Sequence, residues 1–228
     1  MRSTIALFDI DGTLLNADGA GRRAVEAALR ELLGLTSVDL SGVEFAGRTD
    51  PWIVTAALRQ HGAEVDDGLV DRVLERYVQY LPGELERAEA FRVLPGVREL
   101  LSSLRSRSDV ALGLGTGNTE AAAQAKLDRG ELRHFFSFGG FGSDHQERSE
   151  LIRAGLRRGL QELGLSFEQC RVIVIGDTPH DVTAARAIGA QCIAVCTSRY
   201  DASALEEAGA DWVVPTLQSP EVAAAFVS

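Results

Sequence analysis

The sequence predicts an α/β protein: a doubly wound, mainly parallel sheet with a small all-helical domain inserted after its first strand. Three observations carry this. Short apolar runs recur along the chain, each followed by a helical pattern, as buried parallel strands with crossover helices require. Acidic or glycine-rich turns close the clearest of these runs, at the ends where open α/β sheets place their sites. One stretch, residues 16–90, breaks the alternation and contains no convincing strand.

The first strand is expected at residues 4–8. The insertion then carries three helical patterns. The first covers roughly 20–33 and stops at Gly34. The second opens at Asp50-Pro51, with Thr49 and Asp50 read as its caps, and stops at Gly62. The third carries Leu69, Val73, Leu74, Tyr77 and Leu81. The chain returns to the sheet near Val93-Leu94-Pro95-Gly96, giving a core of 1–15 plus 91–228 and a helical cap of 16–90. Further strands are expected at 110–115, 171–176, 193–196 and 212–214. Ser149 is placed to cap a helix carrying Leu151, Ile152, Leu156, Leu160 and Leu163, which ends at Gly164. Thr178-Pro179 fits the N-cap and first position of another, with Gly189 as its stop.

Composition narrows the function classes. The formal net charge of −10 repels a phosphate backbone and argues against a nucleic-acid partner. The same charge means that any phosphate site needs local positive charge, from a metal or from placed Lys and Arg. The cysteines, Cys170, Cys192 and Cys196, lack the spacing of a disulfide framework or a zinc site; Cys192 and Cys196 read as buried hydrophobes. No apolar stretch approaches the ~20 residues that span a bilayer, and the N-terminus lacks a signal-peptide pattern, so a cytoplasmic protein without a membrane partner is expected. Nothing marks an obligate protein partner.

The chemistry is concentrated in three turns. Phe8-Asp9-Ile10-Asp11-Gly12-Thr13-Leu14 closes the first strand, and alternation puts Asp9 and Asp11 on the same side. Two carboxylates this close repel unless a cation lies between them or one keeps a proton, and a hard divalent metal such as Mg²⁺ answers that need. Ile175-Gly176-Asp177-Thr178-Pro179-His180-Asp181 places Asp177 at a strand end and Asp181 on the first helical turn, where an acidic residue is also favoured for structural reasons. His180 reads as exposed on that turn rather than as a ligand. Gly115-Thr116-Gly117-Asn118 reads either as a phosphate cradle or as a turn with a helix cap.

Asp-x-Asp-Gly-Thr, then a Thr at a strand end, then Gly-Asp-x-x-x-Asp resemble, in order, the first, second and fourth motifs of the haloacid dehalogenase superfamily of hydrolases. The resemblance covers essentially the whole chain. The helical insertion is similar to the small cap of its phosphoglycolate phosphatase-like branch. The resemblance implies a Rossmann-like core and a Mg²⁺-dependent phosphatase acting on a small phosphorylated metabolite. It implies that Asp9 attacks phosphorus to form an aspartyl-phosphate and that Asp11 is the general acid and base. It implies Mg²⁺ held by the Asp9 side chain, the Asp11 backbone carbonyl and Asp177, with Asp181 supporting through water. Thr116 and the Gly117 N–H would hold the phosphoryl oxygens, with Asn118 beside them.

The third motif is where the sequence departs from the family. A Lys-Pro-x-Pro stretch is usual upstream of the fourth motif, and here the region reads Asp144-His145-Gln146-Glu147-Arg148-Ser149-Glu150. Arg148 is the candidate for the missing cation and Lys126 its rival. In the cap, Gly47-Arg48-Thr49-Asp50 is expected over the site, with Arg48 set either to contact the substrate's non-reacting end or to stand as an exposed loop charge. A sugar phosphomutase of the same fold is the alternative function. A haloacid dehalogenase is disfavoured, because those relatives lack the acidic residue at the place of Asp11. A non-catalytic module is disfavoured by the presence of all four aspartates.

Overall fold

The computed structural model describes residues 3–227; residues 1, 2 and 228, which the sequence reading assigns to the ends of the core, lie outside the described residues. In chain order the elements are β1 (Ser3–Phe8), β2 (Leu15–Asn16), α1 (Ala20–Leu32), α2 (Asp50–Gln60), α3 (Asp67–Glu86) and β3 (Arg92–Val93). These are followed by α4 (Val97–Arg105), β4 (Val110–Thr116), α5 (Glu120–Arg129), β5 (Phe138–Phe141), α6 (Arg148–Leu163) and β6 (Cys170–Gly176). The chain closes with α7 (Pro179–Ala187), β7 (Gln191–Val195), α8 (Ala202–Ala208), β8 (Trp212–Val214) and α9 (Pro220–Ala225).

Six strands form one parallel sheet in the order β5-β4-β1-β6-β7-β8. The strand β1 is central: it pairs with β4 on one side and β6 on the other. Its alternating residues feed two cores. Ala6 and Phe8 pack on the face shared with α4 and α5, while Ile5 and Leu7 pack on the face covered by α6 and α7. Because both faces are covered, the strand shows a continuous apolar run rather than alternation. The turns after β1, β4 and β6 therefore emerge side by side at the carboxyl edge. This is the doubly wound α/β class that the sequence predicts.

The excursion after β1 leaves and returns through a short antiparallel ribbon, Leu15 opposite Val93 and Asn16 opposite Arg92. Between them, α1 and α3 pack along each other and α2 packs on α3. Gly34 and Gly62, beyond the ends of α1 and α2, adopt positive φ as helix-terminating glycines do.

Three expectations are corrected. Ser149 does not cap α6: the helix begins at Arg148, with Glu147 at its N-cap and no side-chain cap bond. Its first turn is tied instead by Arg148 to carboxylates across the site. The strand β5 was not expected, because Phe-Gly-Gly-Phe has low strand propensity. Its glycines answer to packing: a Cβ on Gly140 would overlap the Leu151 carbonyl of α6. The run expected at 193–196 is paired as Gln191–Val195, since Gln191 opposes Ile173 in the ladder.

Candidate active site

The turn after β1 is shaped by close approach to β6. Gly12 has φ 85°, and a Cβ there would overlap the Asp177 carboxylate. Thr13 donates its hydroxyl to Asp177 Oδ1 at 2.8 Å, and Ser198 donates to the Asp177 backbone carbonyl at 3.0 Å. Asp177 is thereby fixed against the first turn. Asp181 is fixed by the end of its own helix: Oδ2 accepts from the Thr178 N–H at 3.1 Å and the Thr178 hydroxyl at 2.8 Å. Its other oxygen, Oδ1, accepts from Arg148 Nε at 2.8 Å and Nη2 at 2.5 Å. Each oxygen of Asp181 is thus held by two hydrogen bonds.

Asp9, Asp177 and Asp181 are all buried, and one carboxylate oxygen of each lies within 4.8 Å of the others. Arg148 reaches into this group, with Nη2 3.1 Å from Asp9 Oδ2. Burial pushes Asp9 up to about 6, and Asp181 and Asp11 add to the rise while Arg148 opposes it. Burial also raises Asp177 well above the ordinary carboxylate range, helped by Asp9 and Asp181. Burial alone would lower Arg148, but Asp181 and Asp9 outweigh it and hold its pKa raised. When all three are ionised, the buried carboxylates face one guanidinium and the cluster is short of two positive charges, which is why burial favours their protonated forms in the absence of a further cation. A set of hard oxygen donors with that deficit fits a hard divalent cation.

Asp11 belongs to a different arrangement. Its carboxylate turns away from the cluster and is much more exposed than that of Asp9, 44% against 7% of the side chain. Asp11 Oδ2 accepts from Lys126 Nζ at 2.6 Å and from Asn118 Nδ2 at 2.8 Å. Asn118 Oδ1 in turn accepts from Lys126 at 2.6 Å. The Thr116 hydroxyl oxygen accepts from Asn118 Nδ2 at 2.9 Å and from the Asn118 N–H at 3.3 Å. The rival cations are therefore both buried and both in the site, one beside each catalytic-motif aspartate.

The helical insertion closes over these turns. The Asp50 N–H donates to the Gly117 carbonyl at 2.8 Å, and Asp50 Oδ2 accepts from the Thr119 N–H at 2.7 Å. A Cβ on Gly117 would overlap the Arg48 carbonyl. Burial lifts Asp50 to about 6, against the field of Lys126. Arg48 is tied to Glu44 at 2.9 Å through Nε and stacks 4.3 Å over Trp52. His180, expected to be exposed, is half-buried, which with the nearby Arg48 lowers its pKa. A Cβ on Gly47 would press against its ring.

A cavity of about 350 Å³ lies between insertion and core. Asp9, Asp11, Asp177, Thr116, Gly117, Asn118, Arg148, Lys126 and Arg48 all line it, and Asp181 alone of the expected residues stands behind the wall. Sequence reasoning missed Asp50, which it read as a helix cap, and the placement of Tyr77 and Arg22 on the same cavity. No pattern in the sequence distinguishes Asp50 from an ordinary first-turn aspartate.

The comparisons agree with this arrangement. A family model described as haloacid dehalogenase-like hydrolase matches residues 4–189. A phosphoglycolate phosphatase from Chromobacterium violaceum is 33% identical over 212 residues, covering 92% of this chain and 91% of its own length. One from Pseudomonas savastanoi pv. phaseolicola is 31% identical, covering 84% of this chain and 68% of its own. A solved structure of a predicted phosphatase from Clostridium acetobutylicum superposes over 100% of this chain and 99% of its own, with a TM-score of 0.72 at 21% identity, and so shares the fold. With the sheet order, the paired aspartates after β1 and the match spanning most of the sequence, this chain belongs to the haloacid dehalogenase-like hydrolases.

Proposed function

We propose that the chain is a magnesium-dependent phosphatase that hydrolyses a small phosphomonoester through an aspartyl-phosphate on Asp9. The buried cluster of Asp9, Asp177 and Asp181 at the strand ends carries this reading. Mg²⁺ would be held by the carboxylates of Asp9 and Asp177 and the Asp11 backbone carbonyl, with Asp181 supporting through water, and would supply the charge that lets a carboxylate approach a phosphate dianion.

This chain's own groups do the rest. Arg148, already forked between Asp9 and Asp181, meets the phosphoryl oxygens beside the nucleophile. The Thr116 hydroxyl, accepting from Asn118 on its oxygen, keeps its own proton to donate to the phosphoryl group, with the Gly117 N–H beside it. Asp9 forms the new bond to phosphorus as the ester bond breaks, and Asp11 protonates the departing oxygen. Asp11 then takes a proton from the water that cleaves the aspartyl-phosphate. The insertion, docked through Asp50 on the Gly117–Thr119 turn, shields that intermediate from bulk water.

The relatives carry the name phosphoglycolate phosphatase, which makes phosphoglycolate the first substrate to assay. A cytoplasmic place of action fits the three free thiols. The described helices include none long and apolar enough to cross a membrane.

Asp9→Asn is expected to abolish hydrolysis of p-nitrophenyl phosphate, and EDTA is expected to do so reversibly, with activity restored by added Mg²⁺. Full activity in either case overturns the mechanism. Arg148→Ala is expected to cost far more than Lys126→Ala on this substrate. Measuring free phosphate against isomer formation on a sugar phosphate separates this reading from a phosphomutase.

A further inference from the structure

We propose that Lys126 is a positioning residue for the general acid, holding Asp11 toward the leaving group, and not a ligand of the transferring phosphoryl group. The inference rests on the phosphatase reading above. Lys126 is 5% exposed, and its Nζ is engaged by Asp11 Oδ2 and Asn118 Oδ1, both at 2.6 Å. Asn118 completes a triangle by donating to the same Oδ2 of Asp11. Two donors thus grip one carboxylate oxygen from different directions. No described hydrogen bond engages the other oxygen, Oδ1, and the Asp11 side chain remains 44% exposed on the cavity. A carboxyl gripped on one oxygen and open on the other is fixed to deliver a proton from the open side.

The second observation is the fold's provision for this lysine. Lys126 lies on the face of α5 that carries Ala122 and Ala123 into the core. It ends beneath α1 at Gly21, where a Cβ would stand 3.6 Å from Nζ and 3.8 Å from the Tyr77 hydroxyl. Asp50, brought in by the insertion, lies within the field of the same ammonium. Lys126 is therefore enclosed by the core on one side and the docked insertion on the other. Arg148, in contrast, reaches Asp9 itself and holds the place beside the phosphoryl group.

The chemistry separates the two roles. In phosphoryl transfer, the bond between Asp9 and phosphorus forms while the ester P–O bond breaks. A proton passes from Asp11 to the departing alkoxide. An alkyl leaving group needs that proton, whereas p-nitrophenolate departs without it. A residue that acts through Asp11 affects the first substrate selectively. One that binds the phosphoryl group affects both alike, since that group is common to them.

The test is the ratio of kcat/KM for an alkyl phosphate to that for p-nitrophenyl phosphate, measured on the same sample of Lys126→Met and of Lys126→Gln. The ratio is independent of the folded fraction. For Lys126→Met it is expected to fall about 100-fold, within the range of general-acid contributions. Lys126→Gln, whose amide can still donate to Asp11, is expected to recover about tenfold of that loss. An unchanged ratio with a uniform loss overturns the inference and returns Lys126 to phosphate binding. A wild-type enzyme inactive on both substrates overturns the phosphatase reading itself, and this inference with it.

Discussion

Asp50 is a carboxylate in a place that disfavours its charge. It is buried, its pKa stands near 6 rather than 3.8, and the Thr119 N–H and Lys126 only partly offset the burial. A carboxyl whose pKa is raised by folding adds stability below the unfolded value, where both states are protonated, and loses it as pH rises through the folded value. The advantage of Asp50→Asn over the wild type is therefore expected to grow by about 2–3 kcal/mol between pH 4 and pH 7.5. Urea denaturation across that range checks it, and a difference independent of pH would contradict it. The residue scale also shows what the sequence conveys. Asp9 and Asp177 are legible because each follows an apolar strand, and the strand dictates where its end lies. Lys126 is less legible: a charge on an alanine-rich helix says nothing of which face meets the core. Asp50 is not legible at all, because its partner, Thr119, is supplied by tertiary docking.

At the scale of elements, legibility follows burial pattern. The strands β1, β4 and β6 are buried on both faces and carry continuous apolar runs. Helices α1, α2 and α6 announce their ends with Gly34, Gly62 and Gly164 at positive φ. The strand β5 is hidden because its glycines serve the packing of α6, not the strand. Gly140 lies against the Leu151 carbonyl and Gly155 against the Gly140 nitrogen, so the backbones meet with no side chain between them. Gly140→Ala is expected to cost about 3 kcal/mol, as overpacking between backbones that cannot yield. Gly164→Ala meets nothing within 4 Å and is expected to cost about 1–2 kcal/mol, from its left-handed conformation alone. Chemical denaturation of the two variants ranks them, and equal losses would show that β5 and α6 can part without cost.

At the scale of the molecule, a net charge of −10 surrounds a site meant, in our reading, for an anion. The local cations Arg148 and Lys126 are buried and ion-paired, so they project little field into solvent. Salt screens the long-range repulsion, and kcat/KM is expected to rise about two- to threefold from low ionic strength to about 150 mM, at constant Mg²⁺. A fall with added salt would mean that the cavity mouth attracts its substrate despite the overall charge. The central position of β1 has a different consequence, one of timing. The strand precedes both of its partners in the chain, which start at Val110 and Cys170. At ~5–20 residues per second, Ser3–Phe8 waits on the order of 10 s for the first of them. Until then this buried, largely apolar strand has neither edge paired. The strand that leads into Asp9 thus stays unpaired while the whole insertion is made, and chaperone dependence is expected to follow the length of the insertion that delays its pairing.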